Sequence, residues 1–153
     1  MKKVWIGFAV LLLLVANSVS AQMKEPVKWK FELKEINAYE VQVLAYATVE
    51  EGWKVYGLNV PEGGPVATSL TFEEGEGYKP LKQAVEVVAP TVKHDDVFDM
   101  DVPYFKHEAS FSQNVRVTKR PATIKGYITF MCCDNETCLP PTDVEFEFIV
   151  NGK

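Results

Sequence analysis

The sequence has little of what helical, metal-binding or nucleic-acid-binding proteins usually contain. Its 153 residues include 2 histidines and 3 cysteines, and 21 acidic residues outnumber 16 basic ones. The net charge of −5 argues against nucleic acid or an anionic membrane surface as a partner. No window repeats apolar residues every three to four positions, so the pattern predicts no amphipathic helix. The sequence also has no internal repeat, low-complexity tract or linker, and its length suits a single domain.

A long apolar run occurs only near the amino terminus. Two lysines precede the run Val4–Val15, and a pattern of small residues ends at Ala21. These are the three parts of a cleavable export signal. The run is shorter than the about 20 residues that cross a bilayer, although a retained anchor is the alternative. We therefore predict a signal peptide over residues 1–21 and an exported domain over residues 22–153 that does not insert into the membrane.

The rest of the chain consists of short stretches in which apolar and polar residues alternate. The clearest is Val41–Val49, which ends at a Glu-Gly turn. Such stretches, separated by glycine and proline, are typical of half-buried β-strands. Without helices between them, they predict an all-β, antiparallel β-sandwich. The predicted strands cover residues 28–34, 41–49, 53–56, 69–72, 84–89, 109–117, 124–130 and 144–150.

The three cysteines lie in the loop between the last two predicted strands. Four residues separate Cys133 from Cys138, which is a usual length for a hairpin loop. Residues opposed across an antiparallel pair have Cα atoms about 4.5–5.5 Å apart, within the reach of a disulfide. A Cys133–Cys138 bond is therefore geometrically easy. Continued alternation from Phe130 places Cys132 towards the core as a free thiol and Cys133 on the outer face.

The residues alone leave two roles open for this bond. Closing so short a loop stabilises a protein by only about 2 kcal/mol, against about 4.7 kcal/mol for a hundred-residue loop. Pro140 and Pro141 also leave the strand edge beside Cys138 open, because proline has no N–H for pairing. Both features favour an exchangeable disulfide. The alternative is a structural disulfide, since exported domains are oxidised.

Two other kinds of cysteine chemistry fit the spacing poorly. A metal site would combine the three cysteines with His94 or His107, but the paired C-x-x-C of structural zinc sites is absent. We predict neither a metal nor a cofactor. The spacing also differs from that of thioredoxin, and no predicted helix follows whose dipole would lower a thiol pKa. The pair therefore suits an electron relay better than a strong oxidant.

The segment GYITFMCCDNETCLPP, residues 126–141, resembles the active-site segment of the amino-terminal domain of DsbD, a membrane thiol–disulfide reductase. Three further stretches resemble that family in the same order along the chain. They are Glu51–Tyr56, Gly63-Gly64-Pro65 with Thr68, and the cap-loop segment His94–Phe98. The resemblance spans nearly all of the chain after residue 21.

The resemblance implies an immunoglobulin-like sandwich with a cysteine pair that carries electrons. By position, Cys133 and Cys138 are the redox pair, and Cys138 forms the mixed disulfide with partners. Phe98 is expected to cover the pair from the cap loop, with Asp96 as its acidic neighbour. Tyr56 is expected beside the disulfide.

The resemblance also implies partners and a compartment. The expected partners are periplasmic thioredoxin-fold proteins, including those of cytochrome c biogenesis, and a DsbD-like or CcdA-like membrane electron donor. We expect the membrane and thioredoxin-like domains of DsbD to be supplied by other proteins, because this sequence has no counterpart of them. The alternative function is a non-enzymatic β-sandwich binding module whose disulfide is structural.

Overall fold

The computed structural model describes residues 24–152, and all regular secondary structure in that range is β-strand. The predicted signal peptide, residues 1–21, lies outside the described residues. Within residues 24–152 there is no helix that could cross a bilayer. The strands are β1 (Val27–Asn37), β2 (Glu40–Val49), β3 (Lys54–Tyr56), β4 (Ser69–Phe72), β5 (Tyr78–Glu86), β6 (Thr91–Asp95), β7 (Met100–Phe105), β8 (Glu108–Val117), β9 (Ala122–Phe130), β10 (Cys132–Cys133) and β11 (Thr142–Val150).

The strands form three antiparallel sheets. The main sheet has the order β1-β2-β8-β5, the facing sheet β11-β9-β4, and the end sheet β10-β3-β7-β6. The main and facing sheets enclose a common core, in which Val43 and Val115 of the main sheet share a cluster with Ile124 and Phe146 of the facing sheet. This arrangement confirms the predicted immunoglobulin-like antiparallel sandwich.

The alternation of buried and half-exposed residues in β2 explains why this strand could be predicted from the sequence. Its valines and alanines at positions 41, 43, 45, 47 and 49 are buried, while most residues between them are half-exposed. A period of two is what a strand with one face on a core requires. The neighbouring strand β8 buries Phe111 and Val115 on the same inner side. The predicted strand over residues 41–49 is therefore confirmed.

The structure differs from the sequence-based prediction between residues 78 and 105. β5 begins at Tyr78 rather than at residue 84, and a register shift between Leu81 and Val85 breaks its alternation. β6 and β7 were not predicted. Four of the five residues of β6 are exposed, and β7 contains a proline, Pro103, which normally argues against a strand.

The chain changes sheets immediately before the cysteines. β9 ends at Phe130, which lies opposite Thr142 of β11 in the facing sheet. Two residues later, Cys132 and Cys133 pair with Val55 and Lys54 of β3 in the end sheet. The predicted hairpin is thus interrupted. Its two strands, β9 and β11, pair in the facing sheet, whereas Cys132 and Cys133 between them belong to the end sheet. The structure brings the cysteines to β3 and β7, which the hairpin alone did not predict.

A crowded glycine in the facing sheet provides a test of this fold. Gly126 lies between Phe72 of β4 and Phe146 of β11, and an added Cβ would clash with the Thr71 carbonyl oxygen and lie 2.6 Å from the Phe146 ring. We expect Gly126→Ala to lower the free energy of unfolding by about 1–3 kcal/mol, the usual cost of overpacking. Urea denaturation measures this. The control is Gly152→Ala, where a Cβ meets nothing within 4 Å, and equal stability of the two variants would contradict the packing.

Candidate functional site

The disulfide predicted from the loop length is present. Cys133 and Cys138 are bonded, with an S–S distance of 2.06 Å and a Cα–Cα distance of 4.1 Å, and they face each other across a short antiparallel bridge. The Leu139 amide donates to the Cys132 carbonyl at 2.9 Å, and the Asp134 amide donates to the Thr137 carbonyl at 2.9 Å. The cysteine loop, residues 133–138, is therefore closed by backbone hydrogen bonds as well as by sulfur.

Asp134 shapes this loop from its first position. Its Oδ1 accepts hydrogen bonds from the amides of Glu136, at 2.8 Å, and Thr137, at 2.7 Å. This is the turn geometry that aspartate favours. These two hydrogen bonds from backbone amides lower the pKa of the Asp134 carboxyl below its ordinary value, so the carboxyl is ionised at neutral pH. The loop thus carries a negative charge that its own backbone amides hold in place.

The two bonded cysteines have different surroundings. Cys133 is 0% exposed and forms a buried cluster with Tyr56 and Val102, whereas Cys138 is half-buried and packs against that cluster from the loop. The prediction that Cys133 lies on an outer face is wrong in one respect. The face points away from the sandwich core, but β7 and the turn before it cover it. Of the two bonded cysteines, only Cys138 is therefore partly exposed.

Cys132 lies on the opposite face of β10. It is 3% exposed and belongs to the main core cluster, together with Val55, Phe105 and Ile128. Burial raises the pKa of its thiol to about 11, so it is neutral at physiological pH. The prediction that Cys132 is a buried core thiol is confirmed.

The two aromatic residues expected near the disulfide lie together on its buried side. Tyr56 is fully buried beside Cys133, and the Phe98 ring meets it edge-on, with ring centroids 6.0 Å apart. Phe98 is half-buried in the turn of residues 96–99, which connects β6 to β7 and packs against the cluster of Tyr56 and Cys133. We call residues 96–99 the cap turn.

The acidic residue that bonds to this cluster is Asp95 rather than Asp96. Asp96 is exposed in the cap turn, whereas the Asp95 side chain is 1% exposed at the end of β6. One carboxylate oxygen of Asp95, Oδ2, accepts from the Tyr56 hydroxyl at 3.1 Å and lies 2.7 Å from Lys54 Nζ. The other oxygen, Oδ1, accepts from the Val97 amide at 2.9 Å.

These hydrogen bonds and the ion pair determine the protonation states of Asp95 and Tyr56. Burial alone would raise the pKa of Asp95, but the hydrogen bond from Lys54, the Val97 amide, the Lys54 charge and the Tyr56 hydroxyl together lower it. The pKa of Tyr56 is raised by burial, by the Asp95 charge and by their hydrogen bond, so Tyr56 remains a neutral donor. Asp95 is therefore a carboxylate at neutral pH.

Sequence reasoning missed Lys54 and did not single out Asp95. Lys54 follows Trp53 in a short strand, and nothing local shows that its side chain turns towards Asp95. It is 14% exposed and lies opposite Cys133 in the strand register. The only local sign of Asp95 is its position two residues before a turn amide, where aspartate commonly accepts a hydrogen bond.

Comparisons with known proteins give one family match and several similar solved structures. The family described as "Thiol:disulfide interchange protein DsbD, N-terminal" matches residues 20–149. No curated protein sequence matches the chain. The N-terminal periplasmic domain of ScsB from Proteus mirabilis superposes with a TM-score of 0.61 at 17% identity, over 81% of this chain and 46% of that one. The chain thus spans about half the length of that structure.

A second solved structure is similar over most of its own length. The reduced form of the Neisseria meningitidis DsbD N-terminal domain superposes with a TM-score of 0.52 at 19% identity, over 81% of this chain and 86% of that one. At such low identity these two likenesses establish a shared fold.

Proposed function

Since the chain belongs to the family of DsbD N-terminal domains, we propose that it relays electrons by thiol–disulfide exchange through Cys133 and Cys138. The observation that carries this proposal is the asymmetry of the disulfide. Cys138 is half-exposed on a loop, whereas Cys133 is buried in an apolar cluster. Such a bond offers one sulfur to a partner and keeps the other as the internal leaving group.

Electron uptake proceeds in two substitution steps. A thiolate of a reduced donor attacks Cys138 Sγ, which forms a mixed disulfide and breaks the bond to Cys133. The electron pair of the broken bond goes to Cys133 Sγ, which takes a proton from solvent. A second donor thiolate then attacks the donor sulfur of the mixed disulfide and releases Cys138 as a thiolate. Two electrons have moved, the donor is a disulfide, and the reverse sequence reduces a client.

We assign the surrounding residues to control of access. Phe98 is the aromatic of the cap turn that covers the pair, and Tyr56 is the wall beside Cys133. Asp96, exposed on the same turn, faces an approaching partner. A cleft of about 190 Å³ lies beside them, lined in part by Lys54 and by Asn135 of the cysteine loop. No cofactor is needed in this scheme, because the sulfur atoms carry the electrons.

The proposed partners are thioredoxin-fold proteins as clients and a DsbD-like or CcdA-like membrane protein as donor. The proposed compartment is the periplasm, reached by cleavage of residues 1–21. Family membership supports the partner class, and the sequence pattern of residues 1–21 supports export.

The reduction potential of the pair tests the proposed function. We expect a value well above about −300 mV, the level below which structural disulfides lie. Equilibration with thiol buffers, followed by quantification of the two redox forms, measures it, and circular dichroism should show the same fold in both forms. A potential below about −300 mV together with unfolding on reduction would instead support a binding module with a structural disulfide.

A further inference from the structure

The carboxylate of Asp95 joins two parts of the molecule that flank the disulfide. On one side are Lys54 and Tyr56, both on β3. Lys54 is the register partner of Cys133, so its side chain and that of Tyr56 lie on the same face of the end sheet as Cys133. On the other side is the cap turn, whose Val97 amide bonds to the second oxygen of Asp95.

This carboxylate is also placed at the hinge of the cap turn. Asp95 is the last residue of β6 and pairs with Met100, the first residue of β7, so the four residues between them form the turn that carries Phe98. Phe98 reaches Tyr56, and Tyr56 donates to Asp95. Lys54 and Tyr56 therefore both bind Asp95, and Lys54 Nζ also lies 6.0 Å from the centroid of the Tyr56 ring, which packs beside Cys133. We call these three residues the anchor.

We propose that the anchor holds the cap turn over the disulfide and so determines which thiols reach Cys138, with Lys54 and Asp95 as positioning residues. The inference rests on the proposed function, because selectivity has meaning only for a bond that exchanges. The lowered pKa of Asp95 agrees with it, since the carboxylate stays charged and paired with Lys54 at neutral pH.

Stability alone does not account for this pair. The cost of removing two charges from water offsets much of their attraction, so a buried ion pair is seldom a strong stabiliser. A directional contact from the strand next to Cys133 to the cap turn does fix geometry, because both ends are tied to defined strand positions. The two roles differ in what they predict. Lost stability affects every reductant alike, whereas a loosened cap favours small thiols.

The experiment measures rate constants for reduction of the oxidised protein by dithiothreitol and by reduced thioredoxin. We expect Lys54→Met to raise the dithiothreitol rate about fivefold, equivalent to about 1 kcal/mol at 25 °C, and to change the thioredoxin rate less than twofold. Lys54→Arg should restore the wild-type ratio, because the longer cation can still reach Asp95. Lys93→Met, which removes an exposed lysine from the neighbouring strand β6, should leave both rates unchanged.

A double variant covers the risk that a single unpaired charge unfolds the protein. Lys54→Met with Asp95→Asn removes both charges, and the asparagine oxygen can still accept from the Val97 amide. We expect the same fivefold shift in the rate ratio, with faster hydrogen exchange at the amides of Val97 and Phe98 by NMR.

Each outcome of this experiment decides something. Unchanged dithiothreitol rates in Lys54→Met and in the double variant, or an equal rise with both reductants, would overturn the proposal that the anchor holds the cap turn. Failure of thioredoxin to reduce the wild-type protein would overturn the proposed exchange function, while the dithiothreitol rates and the amide exchange would still test the anchor.

Discussion

The variant Cys133→Ser is expected to trap its partner as a stable mixed disulfide, and Cys138→Ser is expected to lose exchange completely. Cys138 is half-exposed on its loop, so it is the sulfur that a partner disulfide reaches. With Cys133 removed, and with a partner that keeps only one of its two redox cysteines, neither protein has a second thiol that can resolve the resulting bond. Incubation with such a single-cysteine thioredoxin-fold protein, its cysteine activated as a mixed disulfide with nitrothiobenzoate, followed by non-reducing electrophoresis, measures the trapped complex.

The third cysteine provides the control for this experiment. Cys132 points into the main core, and burial raises the pKa of its thiol, so we expect Cys132→Ala to exchange at the wild-type rate. Alanine is preferable to serine here, since an unpaired buried hydroxyl costs about 1–3 kcal/mol in protein interiors. Loss of exchange in Cys132→Ala, with exchange retained in Cys133→Ser, would show that the working pair is Cys132 and Cys138.

Removal of the ring of Phe98 is expected to have the second-largest effect. Phe98→Ala should speed reduction by dithiothreitol roughly 30-fold. The ring loses an edge-on pair with Tyr56, worth about 0.5–1.5 kcal/mol, and part of its buried apolar surface, together about 2 kcal/mol. Tenfold in rate corresponds to about 1.4 kcal/mol. Stopped-flow measurement at several dithiothreitol concentrations gives the rate constants.

A second phenylalanine controls for loss of an aromatic ring as such. Phe148 is also half-buried and pairs with Phe146, but it lies on β11, away from the disulfide. Phe148→Ala should leave the rate with dithiothreitol unchanged. The cap role is wrong if Phe98→Ala leaves that rate unchanged and instead lowers the free energy of unfolding by about 3–5 kcal/mol, as truncation of a core phenylalanine does.

The sequence predicted the fold wherever a strand has one buried face and one exposed face. The period of two in Val41–Val49 and in Ile124–Phe130 survives in β2 and β9. It fails in β6, whose residues are mostly exposed at a sheet edge, and in β5, where a register shift interrupts the alternation. It also cannot show that the chain leaves one sheet at Phe130 and enters another at Cys132, because a sheet change depends on distant partners.

The candidate site was predictable to the extent that its features are local. The loop length between Cys133 and Cys138 indicated their bond, and alternation from Phe130 placed Cys132 in the core. The contact between Tyr56 and Asp95 joins residues 39 positions apart, so no local pattern could reveal it. The family resemblance indicated Asp96, whereas the carboxylate that bonds to Tyr56 and Lys54 is one residue earlier, at the end of β6.

The opposite orientation of two adjacent cysteines has a consequence for how a newly made chain acquires its disulfide. Before β10 pairs with β3, either Cys132 or Cys133 can oxidise with Cys138, since both lie within a few residues of it. Pairing with Val55 and Lys54 turns Cys132 into the core and leaves Cys133 facing Cys138. Strand pairing before oxidation therefore directs the bond to Cys133. A chain that oxidises first through Cys132 must exchange that bond before its core can close.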